Sequence, residues 1–143
     1  MSAASANHSA LVILAAVAIL GDCKPTLDDL TVWKEAFPSP AGNLTAVAQT
    51  IQNGGPGNAS IETLVEVRPA GSPTGVTVIL LECEGPMPRP YTWDNAANRG
   101  GSVDLTVQWL DATHLQLTYL DHPKVDRLLP QAFGVSISTV DKS

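Results

Sequence analysis

Apolar and polar residues alternate with period two over residues 103–119. Val103, Leu105, Val107 and Trp109 fall on one face, with Asp104, Thr106 and Gln108 opposite them. After a short polar break, Leu115, Leu117 and Tyr119 alternate with His114, Gln116 and Thr118. Successive side chains leave opposite faces of a strand, so this pattern predicts two half-buried strands. The connector Leu110-Asp111-Ala112-Thr113 is short enough to join them as an antiparallel hairpin.

Four further strands are predicted on the same grounds. Residues 44–52 are β-capable with a mixed pattern, and 61–68 place Ile61, Thr63, Val65 and Val67 opposite Glu62, Leu64, Glu66 and Arg68. Residues 76–83 are apolar on both faces, which suits a strand covered on two sides. Phe133, Val135, Ile137 and Thr139 make a last alternating run. Leu27, Leu30 and Trp33 follow the cap-like Thr26-Leu27-Asp28-Asp29 at helical spacing, predicting a short helix, although residues 32–37 also alternate. A helical turn is also expected over residues 125–131. Asn53-Gly54-Gly55-Pro56-Gly57-Asn58 and residues 69–75 are turn chemistry. The glycine-rich stretch is followed by a strand pattern and no Lys-Ser/Thr pair, so it does not read as a phosphate cradle.

The predicted class is therefore mainly β: an antiparallel sheet or small two-layer sandwich of about six strands with one short helix. Eleven Gly and eleven Pro agree with many short connections. Residues 10–20 are uninterruptedly apolar, shorter than the about 17–25 residues of a membrane-crossing helix but suited to a signal-peptide core. Residues 1–23 thus read as a signal-like hydrophobic leader helix and 24–143 as a single β-rich domain. The competing reading is a buried Ala-rich helix of the fold. Export, to the periplasm or to a membrane-anchored state, is the expectation. Leu20-Gly21-Asp22-Cys23 has the outline of a lipobox, making Cys23 a candidate lipidation site, with Asp22 out of place before the thiol. A disulfide between Cys23 and Cys83, or two unrelated thiols, are the alternatives.

The formal charge is −6 and the eight basic residues are spread singly, so no nucleic-acid surface is expected. No cofactor or metal is implied, since no closely spaced Cys or His pair occurs. Residues 84–101 are the longest irregular stretch, interrupted by Pro86, Pro88 and Pro90. They carry Tyr91, Trp93, Asp94 and Arg99, the densest set of recognition-type side chains. These form either a ligand or partner contact or an aromatic lid over the sheet end. Asp111 with His114, and Asp121 with His122, are the remaining candidates for acid–base or metal chemistry. The hairpin places the two pairs roughly 20 Å apart, at opposite ends, so one shared site is not expected. With no nucleophile elbow, H-E-x-x-H or C-x-x-C motif, a non-enzymatic module is favoured over an enzyme.

Ser39-Pro40-Ala41-Gly42, Val65-Glu66-Val67-Arg68-Pro69, Val107-Gln108-Trp109-Leu110-Asp111 with Leu115-Gln116-Leu117-Thr118-Tyr119, and Gly134-Val135-Ser136-Ile137 follow one another in an order that carries a likeness. It resembles a family of small bacterial exported or lipid-anchored proteins of unknown function, with an S-P-D-G turn and a V-x-W-x-D-x-x-x-L-x-L-x-Y hairpin. Ala41 stands where the family has Asp. The resemblance implies an envelope location and no activity. The expected function is a non-catalytic binding or structural module of the bacterial envelope, contacting an envelope protein or surface ligand. Membrane attachment would come only through the leader or a lipid on Cys23. The alternative is a small hydrolase or metal-dependent enzyme using His114 and Asp111.

Overall fold

A computed structural model of the protein describes residues 29–53, 60–83 and 95–143. The described residues form nine strands in two sheets. The first sheet contains β1 (Asp29–Pro38), β2 (Leu44–Asn53), β3 (Ser60–Pro69), β4 (Val76–Cys83) and β7 (Lys124–Leu128), ordered β1-β2-β3-β4-β7. The second contains β5 (Thr106–Asp111), β6 (His114–Tyr119), β8 (Gln131–Ala132) and β9 (Val135–Asp141), ordered β5-β6-β9-β8. Inward residues of both sheets share one hydrophobic core: Val65, Val67, Ile79 and Leu81 from the first, Leu115, Leu117, Val135 and Ile137 from the second. The result is a two-layer β architecture.

The alternating patterns translate over most of their length, except that Val103 to Leu105 precede β5 in and after a 3-10 turn, and Phe133 lies in the turn before β9. Along β3, Ile61, Thr63, Val65 and Val67 are buried while the residues between them are half-buried. β5 pairs with β6 as the expected antiparallel hairpin, with Val107, Leu115, Leu117 and Tyr119 in the core. β4 lies inside the sheet between β3 and β7, but the expected cover on both faces is corrected: Val78, Ile79 and Leu81 are buried while Thr77, Leu80 and Glu82 are only half-buried. Its pairing with β3 skips Val78, so this bulge turns Val78 and Ile79 into the interior together.

Three expectations are corrected. The helical spacing of Leu27, Leu30 and Trp33 yields no helix over the described part: residues 29–38 form β1, paired with β2 along its length. A bulge at Val32 turns Trp33 inward, to 1% exposure. A full ladder of backbone hydrogen bonds outweighs a three-residue stripe that a bulged strand satisfies equally well. The helical turn expected over 125–131 is instead β7, because β4 needs a partner on its second side. Nine strands replace about six, and the only helical element among the described residues is a 3-10 turn, Gly101–Val103.

The sheets are also not wholly antiparallel. β9 runs parallel to β6, with His114 opposite Ser136 and Tyr119 opposite Asp141. The chain leaves β6 through Asp121 and His122, both at positive φ, and crosses to β7 in the other sheet. It then returns through β8, and a return of that length and direction brings β9 beside β6 in the same sense. The leader, residues 1–23, lies outside the described residues. Among those described, no helix is long and apolar enough to cross a membrane.

Candidate functional site

Residues 95–103 are fastened to the free edge of β1 by side chains that stand in for a neighbouring strand. The Lys34 backbone N–H donates to Asn95 Oδ1 at 2.8 Å, and Asn95 Nδ2 donates back to the Lys34 carbonyl at 3.0 Å. Asn98, 2% exposed, donates through Nδ2 to the carbonyl of Val32, the bulged residue, at 2.7 Å. Trp109 Nε1 donates to the Phe37 carbonyl at 2.9 Å. An amide side chain carries one donor and one acceptor, as a peptide does, so Asn95 satisfies an edge residue completely. Edge pairing with another chain is blocked at that position.

The same segment then turns into the interior. Gly100 and Gly101 take φ of 83° and 60°, which an L side chain adopts only at a cost. Gly101 packs so closely on Thr50 and Trp33 that there is no room for a Cβ. Ser102 follows, and its Oγ lies 2.8 Å from Thr63 Oγ1, which lies 2.6 Å from Thr50 Oγ1. This chain of three hydroxyls is buried, with Thr50 and Thr63 at 0% and Ser102 at 1% exposure. Cys83, a free thiol, donates from Sγ to the Ser102 carbonyl at 3.6 Å. Residues 95–101 are therefore attached to β1 at one end and packed into the interior at the other.

Of the four recognition candidates, Tyr91, Trp93 and Asp94 lie outside the described residues, as does Cys23. Arg99 is described. Its side chain is 73% exposed, and Nε lies 3.5 Å from Glu35 Oε2 on β1. Glu35, Asn95 and Asn98 were not singled out in the sequence. A lone Glu in an alternating segment and two Asn near a Gly pair have no local signature, because their roles depend on the β1 edge.

At the β5–β6 tip, Asp111 and His114 do meet. His114 Nδ1 lies 2.7 Å from Asp111 Oδ2 and 2.9 Å from Oδ1, while Asp111 Oδ1 also accepts from the Thr113 N–H at 2.7 Å and the Thr113 hydroxyl at 2.9 Å. The Thr113 N–H, then its hydroxyl, and then His114 hold the Asp111 carboxyl below the ordinary aspartate range. This is the Asx-type turn expected of Asp111, with His114 added. Both side chains are more than half exposed, at 54% and 55%, so water screens the pair.

Asp121 and His122 lie at the other end of β6. His122 Nδ1 sits 4.0 Å from Asp141 Oδ2, and its backbone N–H donates to Ser143 Oγ at 2.7 Å. Ser, His and Asp are thus neighbours, but the hydroxyl serves a backbone N–H and Asp141 is capped by the Ser143 N–H at 2.9 Å. Ser143 lowers the Asp141 carboxyl from its usual range, with a smaller contribution from His122. β6 separates this cluster from Asp111 and His114, so the two pairs do not converge. Among the described residues, no group of three or more His, Cys, Asp and Glu side chains is placed to hold a metal ion.

Compared with known proteins, the chain matches no family model, no curated protein and no solved structure. The likeness to the envelope family rests on its motifs alone.

Proposed function

We propose that the protein is a non-catalytic binding module of the bacterial envelope, engaging a protein or surface ligand through residues 84–101, whose described part is held on the edge of β1. The observation that carries this reading is the double hydrogen bond of Asn95 to Lys34, reinforced by Asn98 on Val32. Recognition residues borne on an irregular segment are effective when a rigid sheet positions that segment, because less conformational entropy is lost on binding. Arg99, exposed beside Glu35, marks the side from which a ligand approaches. The apolar run over residues 10–20 supports delivery to the envelope. Trp93→Ala is expected to weaken capture of the partner at least tenfold with an unchanged melting temperature. A matching loss of stability would make Trp93 a lid and remove the proposal.

A second reading is a small hydrolase or metal-dependent enzyme built on His114 and Asp111. The 2.7 Å contact favours it, since a carboxylate on Nδ1 orients an imidazole for work at Nε2. A rise in melting temperature with Zn²⁺, Mn²⁺ or Ca²⁺ that Asp111→Asn abolishes is its expected signature. The absence of any shift removes its metal-dependent form.

A further inference from the structure

The crossing from β6 to β7 is the one place among the described residues where two consecutive residues other than glycine take positive φ. Asp121 stands at 70° and His122 at 44°. L residues visit the left-handed region singly, Asp and His more readily than most, and two in succession add their costs. Pro123 follows, and a residue before proline is pushed toward the extended region, so His122 goes against a second preference. Both residues are exposed, so burial does not offset the strain. Strain of this kind persists only where the surrounding structure imposes it.

The surroundings here are two strand seams. The stem of the bend is fixed: the Leu120 N–H donates to the Val103 carbonyl at 2.9 Å, and the Lys142 N–H to the Tyr119 carbonyl at 3.0 Å. The bend itself is held by exposed contacts, with the His122 N–H on Ser143 Oγ at 2.7 Å and His122 Nδ1 4.0 Å from Asp141 Oδ2. Beyond it, residues 124–143 dock on the rest of the chain through β7 on β4 and β9 on β6. Ala132, Val135 and Ile137 fill the core from this segment. Were the bend to straighten within one molecule, β4 and β6 would lose those partners and leave buried backbone groups unpaired. A second copy supplies the same strands in the same register.

We propose that residues 124–143 are exchangeable, and that two copies of the chain form a domain-swapped dimer in which the bend at residues 121–123 is extended. Each seam and each core contact is then made with the other copy's segment. What separates dimer from monomer is therefore the relief of the bend set against the entropy of association. A short hinge under strain is the condition that favours such an exchange. The occupant is fixed by the chain itself, because the seams on β4 and β6 are matched together by β7 and β9 of another copy. The exchange does not depend on what residues 84–101 bind.

The test unfolds the full chain in urea and refolds it at high protein concentration, with the mass in solution read by light scattering. Expected is a dimer with the circular dichroism of the monomer. Glu82 lies opposite Lys124 across the β4–β7 seam, which gives a direct probe of the exchange. In chains with Cys23 and Cys83 replaced by Ala, one copy carries Glu82→Cys and the other Lys124→Cys. Joint refolding with oxidised glutathione is expected to give an 82–124 disulfide between copies, and mixing of separately folded copies none. Asp121→Gly with His122→Gly accepts the bend without strain, and its dimer fraction is expected to fall at least fivefold. His122→Val, whose β-branched side chain resists positive φ, is expected to raise it. The proposal is overturned if the wild-type chain refolds wholly to monomer, if the dimer gives no 82–124 disulfide, or if the glycine pair stays within twofold of wild type. The hinge variants keep both native cysteines, so they decide the matter even where the cysteine-free chain folds poorly. Trp93→Ala leaves the dimer fraction unchanged, so failure here and failure of the binding reading are distinguishable.

Discussion

Gly101→Ala is expected to destabilise the protein by about 2–4 kcal/mol, read as a shift of the urea midpoint at constant slope. Two effects add. Gly101 has a φ of 60°, where an L residue costs about 1 kcal/mol relative to Gly. The added methyl also runs into Thr50 Oγ1 and comes within 3.0 Å of Thr50 Cβ and 3.1 Å of Trp33 Cε3. Thr50 is fully buried and its hydroxyl is bound to Thr63, so it has no free rotamer into which to withdraw. Trp33 is a large ring fixed in the core. Overpacking at such a place costs about 1–3 kcal/mol. Gly42→Ala is the contrast: its φ of 74° carries the strain, but nothing lies within 4 Å of the new methyl, so only the backbone part is lost. Equal losses at the two positions would show that residue 101 is not pressed against Thr50.

Thr63→Val is expected to cost about 2–4 kcal/mol although it barely changes volume. Thr63 is the middle hydroxyl of the buried chain, so its loss strips a partner from both Thr50 and Ser102. Each buried polar group left unpaired costs about 1–3 kcal/mol. Replacing all three at once, Thr50→Val with Thr63→Val and Ser102→Ala, removes the orphans together and is expected to recover most of the loss. A triple variant no more stable than Thr63→Val alone would mean that the hydroxyls are not coupled.

These two sites illustrate what local pattern conveys and what it omits. Thr63 occupies an inward position of a clean alternation, so its burial was legible, while its partners on β2 and in the 3-10 turn were not. Asp111 was legible as a turn former because its acceptor serves a backbone N–H two residues on. Arg99 was picked out by residue type, whereas its partner Glu35 lies in residues 32–37, where helical spacing and alternation compete and nothing local marks the pairing. Asn95 and Asn98 act on backbone groups more than sixty residues away, a distance no local window spans.

By itself, the sequence determined the mainly β character, the hairpin from β5 to β6 and the burial of β3 on one face. Each follows from period-two alternation, and alternation is a property of adjacent residues. Only the tertiary structure decided that β7 is a strand, that β9 runs parallel to β6, and that Asn95 and Asn98 close the edge of β1. Those outcomes depend on which backbone groups and apolar faces still lack partners once the sheets have formed. That need is met by whichever distant segment the topology delivers, not by the nearest residues in the chain.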